Sequence, residues 1–447
     1  MSYPRYPKYK DSGVEWLGEV PEQWKVGRLG FEAKTIVPMR DKPEDLNGEI
    51  PWIRIEDFSG KTIEGSKSGQ GVSNEIIQKM NLKVFPIGTV LCSCSCKMGA
   101  TAIVTKPLVT NQTFIGIVPN HRYSSEYLYY LMQIMGVQLE SIATGAIQQY
   151  LSRDDFRRLR LPLPDIKEQL LISSFLDRET FRIDTLISEK ERLISLLQEY
   201  RQALISQAVT KGLDPNVKMK DSGVEWLGEV PEHWGFSSLN RIAERVVVGI
   251  AEAATHAYAE HGVPILRSTN IRACGEIGGE ILRIDPKFAE DRGSKLIKAG
   301  DLVTVRTGNA GITAVVPPYL DECQCFTMLI TTLRANSNSS YYCNYMNSFS
   351  ARYYFNIEGW GTAQVNISVP ILKALPVPIP PLEEQTAITA FLDRETTRID
   401  TLISEARKFI DLLKEYRSSL ITAAVTGKID VREVVPSGSE KREIAHE

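Results

Sequence analysis

No apolar run in this chain approaches the roughly 18–20 residues needed to cross a bilayer, which excludes a membrane-spanning helix. The opening residues, MSYPRYPKYK, lack the apolar stretch of a secretory leader, so the cytoplasm is the expected location. Cysteine is sparse. Cys92, Cys94 and Cys96 alternate along one run, where neighbouring thiols would scramble in an oxidising compartment. They read as small residues on one face of a buried strand, as do Cys323 and Cys325, because no further ligand stands nearby at metal-site spacing. The five histidines (His121, His233, His256, His261 and His446) form no ligand pair either. A strong charge of one sign is also missing: the net charge is −3. Its distribution is uneven. Residues 25–160 hold 17 Lys/Arg against 13 Asp/Glu, and residues 235–376 hold 13 against 12, while the remainder is acidic. Such a balance permits nucleic-acid binding by the two mildly basic stretches without demanding it.

What is present is a duplication. Asp11–Trp24 reads DSGVEWLGEVPEQW and Asp221–Trp234 reads DSGVEWLGEVPEHW. Phe175–Glu189, FLDRETFRIDTLISE, returns at Phe391–Glu405 with one change, Phe181 to Thr397. Seven segments follow: a hook (1–24), an insert (25–160), a central helix (161–214), a second hook (215–234), a second insert (235–376), a C-terminal helix (377–430) and a polar tail (431–447). Trp16, Leu17 and Trp24, with Trp226, Leu227 and Trp234, read as apolar anchors packing each hook onto the helices; partner docking is the alternative. Each insert exits through prolines (Leu161-Pro-Leu-Pro164, Val377-Pro-Ile-Pro-Pro381) into an acidic first turn ending in Gln169 or Gln385, a helix-start signal.

The helices show two heptad rows. Leu176, Ile183, Leu197 and Leu204 form one row with Leu186, Leu193 and Tyr200 as companions. Leu392, Ile399, Leu413 and Leu420 match it, with Leu402, Phe409 and Tyr416. This periodicity predicts a coiled-coil seam between two antiparallel helices of about 40 residues, each about 60 Å long at 1.5 Å per residue. The inserts read as mixed α/β globules of one fold. Pro51-Trp-Ile-Arg54 matches Pro264-Ile-Leu-Arg267, Gly88–Gly99 matches Gly300–Gly311, and Gln112 with Phe114 matches Gln324 with Phe326. Gly145–Ser152 likewise matches Gly361–Ser368. The expected class is α+β: two mixed α/β domains separated by a long antiparallel two-helix coiled coil, with an internal pseudo-two-fold repeat.

Catalytic signatures are weak. Val316-Pro-Pro-Tyr319 resembles the Pro-Pro-aromatic motif of amino-methyltransferases, but Val316 has no acceptor for a target amino group. Gly308-Asn-Ala-Gly311 is either a phosphate cradle or a tight turn. No paired carboxylates with a lysine suggest a nuclease. The expected catalytic and metal residues are none, with no cofactor in this chain.

Hooks, paired inserts, proline exits ahead of E-Q and FLDRET-type helices together resemble the specificity subunit of type I restriction–modification systems, over nearly the whole chain. The resemblance implies a non-catalytic subunit whose two target-recognition domains read the halves of a split, asymmetric site in double-stranded DNA. It implies two modification subunits docked on the repeated frame, restriction subunits added to them, and S-adenosylmethionine, ATP and Mg on those partners. Base reading needs Arg for guanine and Gln or Asn for adenine. The candidates are Arg54, Lys97, Gln112, Gln148, Gln149 and Tyr150 in the first insert, and Arg267, Arg306, Asn309, Gln324, Gln364 and Asn366 in the second. Unshared positions, such as Arg306 against Cys94 or Asn366 against Tyr150, are the better choices for base discrimination. The competing reading is a protein-binding coiled-coil scaffold without sequence-specific DNA recognition.

Overall fold

The computed structural model describes residues 3–38, 42–94, 98–136, 139, 151–251, 255–272, 275–361 and 365–434. The chain divides into two compact units, residues 1–190 with 408–447 and residues 191–407. Each unit thus combines one hook, one insert and parts of both long helices. Among the described residues no helix is long and apolar enough to cross a membrane.

In the first unit the hook is a two-stranded ribbon, Tyr9–Asp11 against Glu19–Pro21, with Lys10 opposite Val20. Trp24 behind it is fully buried, and Leu17 nearly so, as expected for packing anchors. The insert is closed at its base by Lys25–Arg28 paired antiparallel with Arg160–Leu163, Val26 opposite Pro162. A two-stranded ribbon has only edges, so the missing N–H of Pro162 costs little there. The main sheet runs Lys34–Ile36, Phe114–Val118, Val90–Ser93, Thr101–Val104 and Thr62–Ile63 in spatial order. A smaller sheet orders Val109–Thr110, Ile50–Ile53 and Gly71–Val72. The helix Ser125–Ile134 starts where Ser124 accepts a hydrogen bond from the Tyr127 N–H. It drives Tyr127 into the core, where the phenol donates to the Val425 carbonyl at 2.8 Å.

The second unit repeats this plan. Its hook pairs Met219–Asp221 with Glu229–Pro231, and Gly235–Ser238 closes against Pro376–Ile379. Two four-stranded sheets carry the insert. The Tyr341 hydroxyl donates to the Val209 carbonyl at 2.8 Å, the same fastening by the matched residue.

The E-Q motif proves to be more than a helix start. Gln169 is buried; its amide donates to the Arg122 and Pro164 carbonyls and its oxygen accepts from the Ser124 N–H at 2.9 Å. Gln385 does the same with the Asn338 N–H and the Pro380 carbonyl, both at 2.8 Å. Each glutamine therefore clips the start of a long helix to the first turn of its insert's helix.

The long helices are Ile166–Lys211 and Leu382–Val425. Within the first unit their segments run antiparallel: Arg417 pairs with Asp184 at 2.9 Å, and the Lys190 ammonium lies 5.5 Å from the centre of the Phe409 ring. Within the second, Arg201 pairs with Asp400 at 3.2 Å. In the first heptad row Leu176, Ile183, Leu392, Ile399 and Leu420 are buried, and Leu197, Leu204 and Leu413 are half-buried. The companion row needs correction. Leu193, Tyr200, Leu402, Phe409 and Tyr416 are 40–59% exposed, whereas Ile403 and Ile410, one residue on from Leu402 and Phe409, are buried. One residue is about 100° of helix rotation, enough to turn a side chain off the seam.

The polar tail also starts later than expected. Val431 is buried in the first unit's core, and the Asp430 N–H donates to the Pro4 carbonyl at 2.8 Å. Asp430 is gripped by the Arg432 guanidinium through two hydrogen bonds of 2.9 and 2.6 Å and by the Arg432 backbone N–H at 3.1 Å, and that guanidinium sits 4.8 Å from the Tyr6 ring centre. Residues 435–447 lie outside the described part.

Candidate nucleic-acid interface

Three second-insert candidates, 60 residues apart in sequence at the extremes, lie on a turn and a loop held together by hydrogen bonds. The strand Leu302–Thr304 runs on through Arg306 into the turn Gly308-Asn-Ala-Gly311 and back to Thr313–Val315. That turn is closed by the Gly311 N–H donating to the Val305 carbonyl at 2.9 Å, with Gly308 at φ +84°, so the tight-turn reading holds. A second loop lies beside it: the Ile367 N–H donates to the Arg306 carbonyl at 3.0 Å, and the Thr307 hydroxyl to the Asn366 side-chain oxygen at 2.6 Å. Asn309 is exposed at the tip, and the Arg306 Nε, though shielded, finds no hydrogen-bond partner among the described residues. A guanidinium, a carboxamide at the tip and a second carboxamide anchored by a hydroxyl are groups that can address base edges or phosphates.

In the first unit the matched fastening recurs. The Leu151 N–H donates to the Cys94 carbonyl, again at 3.0 Å. Cys94 is buried where the second insert has Arg306. Burial pushes the Cys92 and Cys323 thiols up to about 12, so both are protonated core groups at neutral pH. Lys97, Gln148, Gln149, Tyr150 and, in the second insert, Gln364 lie outside the described residues, as do Cys96 and Cys274.

The other candidates lie elsewhere. Arg54 and Arg267 each follow a strand and precede a short 3-10 turn, and their backbone N–H groups donate to Asp57 at 2.7 Å and Asn270 at 2.9 Å. Their side chains are engaged too, Arg54 with Glu56 at 3.1 Å and Arg267 with the Glu280 carbonyl at 3.1 Å. Gln112 is exposed. Gln324 is a correction: it is fully buried, and its amide donates to the Ala289 and Arg292 carbonyls at 2.9 and 3.1 Å. The strand register explains the error. Gln324 lies opposite Ile265, as Val109 lies opposite Trp52, so its true counterpart is Val109 rather than Gln112. Sequence reasoning also passed over Thr307, which anchors Asn366, and Trp360, whose N–H and carbonyl bond reciprocally to Asn366 at 3.2 and 2.9 Å. A tryptophan set between Gly359 and Gly361 was the available signal.

Comparison with known proteins bears on this arrangement. The pattern of the type I restriction modification DNA specificity domain matches residues 21–196 and 253–408. The specificity subunit of the type I restriction enzyme MjaIX from Methanocaldococcus jannaschii is 30% identical over 189 residues, which is 41% of this chain and 43% of that one. A putative MjaX specificity subunit from the same organism is 24% identical over 437 residues, covering 93% of this chain and 96% of its own. A chain solved in work on complex assembly and conformational transition of the type I restriction–modification system shares the fold. It has a TM-score of 0.71 at 16% identity, over 91% of this chain and 98% of its own.

Proposed function

Because the chain belongs to the type I restriction–modification DNA specificity family, we propose that it is the non-catalytic, cytoplasmic subunit that selects an asymmetric, bipartite DNA site, one insert reading each half. The observation that carries this is one fastening with two contents: the same 3.0 Å backbone bond presents Arg306 in one insert and buries Cys94 in the other. Matched folds with unmatched surfaces suit two half-sites of different sequence. In the second insert Arg306, Asn309 and Asn366 are the proposed base or phosphate contacts.

The repeated apolar residues turned off the seam support a docking role. Leu193, Leu196 and Tyr200 in the second unit correspond to Phe409, Leu412 and Tyr416 in the first, and all are exposed. We assign these equivalent faces to two modification subunits, with restriction subunits joining them and with S-adenosylmethionine, ATP and Mg held on those partners. The two long helices, 46 and 44 residues, would form the coiled coil that sets the unread spacer.

The test is binding by the chain assembled with its modification partner. Nanomolar-range affinity for one split sequence, falling steeply as salt rises, is the expected result. Sequence-independent or absent binding would instead support the protein scaffold. Exchanging residues 25–160 for the insert of another family member should change one half-site only, and deleting a heptad from the central helix should shift the spacer or abolish binding. If both half-sites changed, or the spacer held, the corresponding part of the proposal would fall.

A further inference from the structure

Trp360 is the one exposed tryptophan among the described residues, with 57% of its surface open, while Trp24, Trp52 and Trp234 are buried. An indole left in water forgoes a large burial gain, so its retention points to a surface that is covered during function. Its backbone is held at both polar groups by Asn366, whose side-chain oxygen in turn receives the Thr307 hydroxyl, while Ile367 is bonded to Arg306. The ring is thus carried on the loop of Asn366, which is fastened to the turn that bears Arg306 and Asn309.

The occupant can be narrowed by comparing the inserts. Trp360-Gly361 corresponds to Thr144-Gly145, so the first insert has no aromatic at this place. A partner docking twice on the duplicated frame has no counterpart of Trp360 to use in the first unit. What differs between the inserts is, on the reading above, the half-site. We propose that Trp360 packs its ring onto bases of the half-site read by residues 235–376, beside the step addressed by Arg306 and Asn366. Aromatic packing on bases is sequence-tolerant by itself, so its contribution is to grip and orient the DNA while the polar neighbours discriminate. A different apolar row, Phe349, Tyr353 and Ile357, borders a cleft with Trp226 on the helix Phe349–Glu358 and serves as the control.

This inference rests on the DNA-recognition reading, and the experiment separates the two. Full-length wild type, Trp360→Ala, Trp360→Phe and Phe349→Ala are each purified with the modification subunits. The probes are duplexes carrying the split motif methylated by the wild-type complex, intact or with either half scrambled. The expected result is a tenfold or greater loss of affinity for the intact site in Trp360→Ala, less than threefold in Trp360→Phe and none in Phe349→Ala. With the second half scrambled, wild type and Trp360→Ala should bind alike. Tryptophan emission should be quenched by the intact site in wild type and less so in Trp360→Phe. Unchanged affinity in Trp360→Ala, with wild type still selective, overturns the role of Trp360 alone. Loss of co-purification in Trp360→Ala makes the ring a protein anchor and overturns it too. Absence of selective binding by wild type overturns the DNA-recognition reading beneath it.

Discussion

In the second unit the Trp234 indole donates to Glu384 at 2.9 Å and His233 reaches the same carboxylate at 2.6 Å. In the first, Trp24 is equally buried but its Nε1 has no partner among the described residues, and Tyr6 supplies the donor to Glu168 at 2.7 Å instead. The two hooks differ in sequence between Trp16 and Trp24 only at Gln23 and His233, yet they satisfy the matched carboxylates from different directions. Near-identity of sequence has conserved the apolar anchor while the polar wiring has drifted. The inserts show the reverse: little shared sequence, but the tyrosine-to-carbonyl fastening recurs, and so does the glutamine clip with one bond fewer in the second unit.

The comparison can be broken most forcefully at the anchors. Trp24→Ala and Trp234→Ala should each cost about 3–5 kcal/mol, the range for emptying a large buried aromatic site. Urea unfolding of the full chain, with hydrogen exchange to locate the loss, should find it in the first unit for one and the second for the other. Trp→Phe sharpens this: at position 234 it also removes the donor to Glu384 and should cost about 1 kcal/mol more than at position 24. Next come the clips. Gln169→Leu and Gln385→Leu strand buried backbone groups at about 1–3 kcal/mol apiece, and Gln169 should be the costlier, having three side-chain bonds against two. Equal losses in thermal unfolding would show that the third bond adds nothing.

The smallest effect is at the helix exits. Burial raises the Asp430 carboxyl, but the Arg432 hydrogen bonds and charge outweigh it and hold the group below its ordinary range. A depressed native pKa makes the stabilisation fully present above the unfolded value, about 3.9, and removes it as pH falls through the lowered one. Asp430→Asn should therefore cost about 0.5–1 kcal/mol at pH 7, as a partly exposed ion pair does. The cost should vanish at a pH where the native group is protonated. Asp214→Asn, at the matched but exposed site, should be silent at both. Denaturation midpoints at the two pH values decide it.

Much of the frame is legible in the residues because repetition separates what packing demands from what may vary. Gly88 and Gly300 match because both take a positive φ, +82° and +89°, that favours glycine, and in both the carbonyl accepts a serine hydroxyl, from Ser125 at 2.7 Å and Ser339 at 2.6 Å. The second seam row is misread because Leu402-Ile403 and Phe409-Ile410 are adjacent apolar pairs, and a seven-residue repeat fits either member. Gln324 is misassigned because local spelling, Gln two before Phe, cannot reveal strand register. The pairing of Thr307 with Asn366 is a long-range contact that no local period encodes.

The arrangement in the second insert has an evolutionary corollary. Asn309 and Trp360 extend from loop backbone, while the fold is secured by the zipped base strands, Gln385 and the Tyr341 phenol. Drift at those loop tips should alter preference for a target long before it threatens survival of the globule, leaving new specificities open to single point changes.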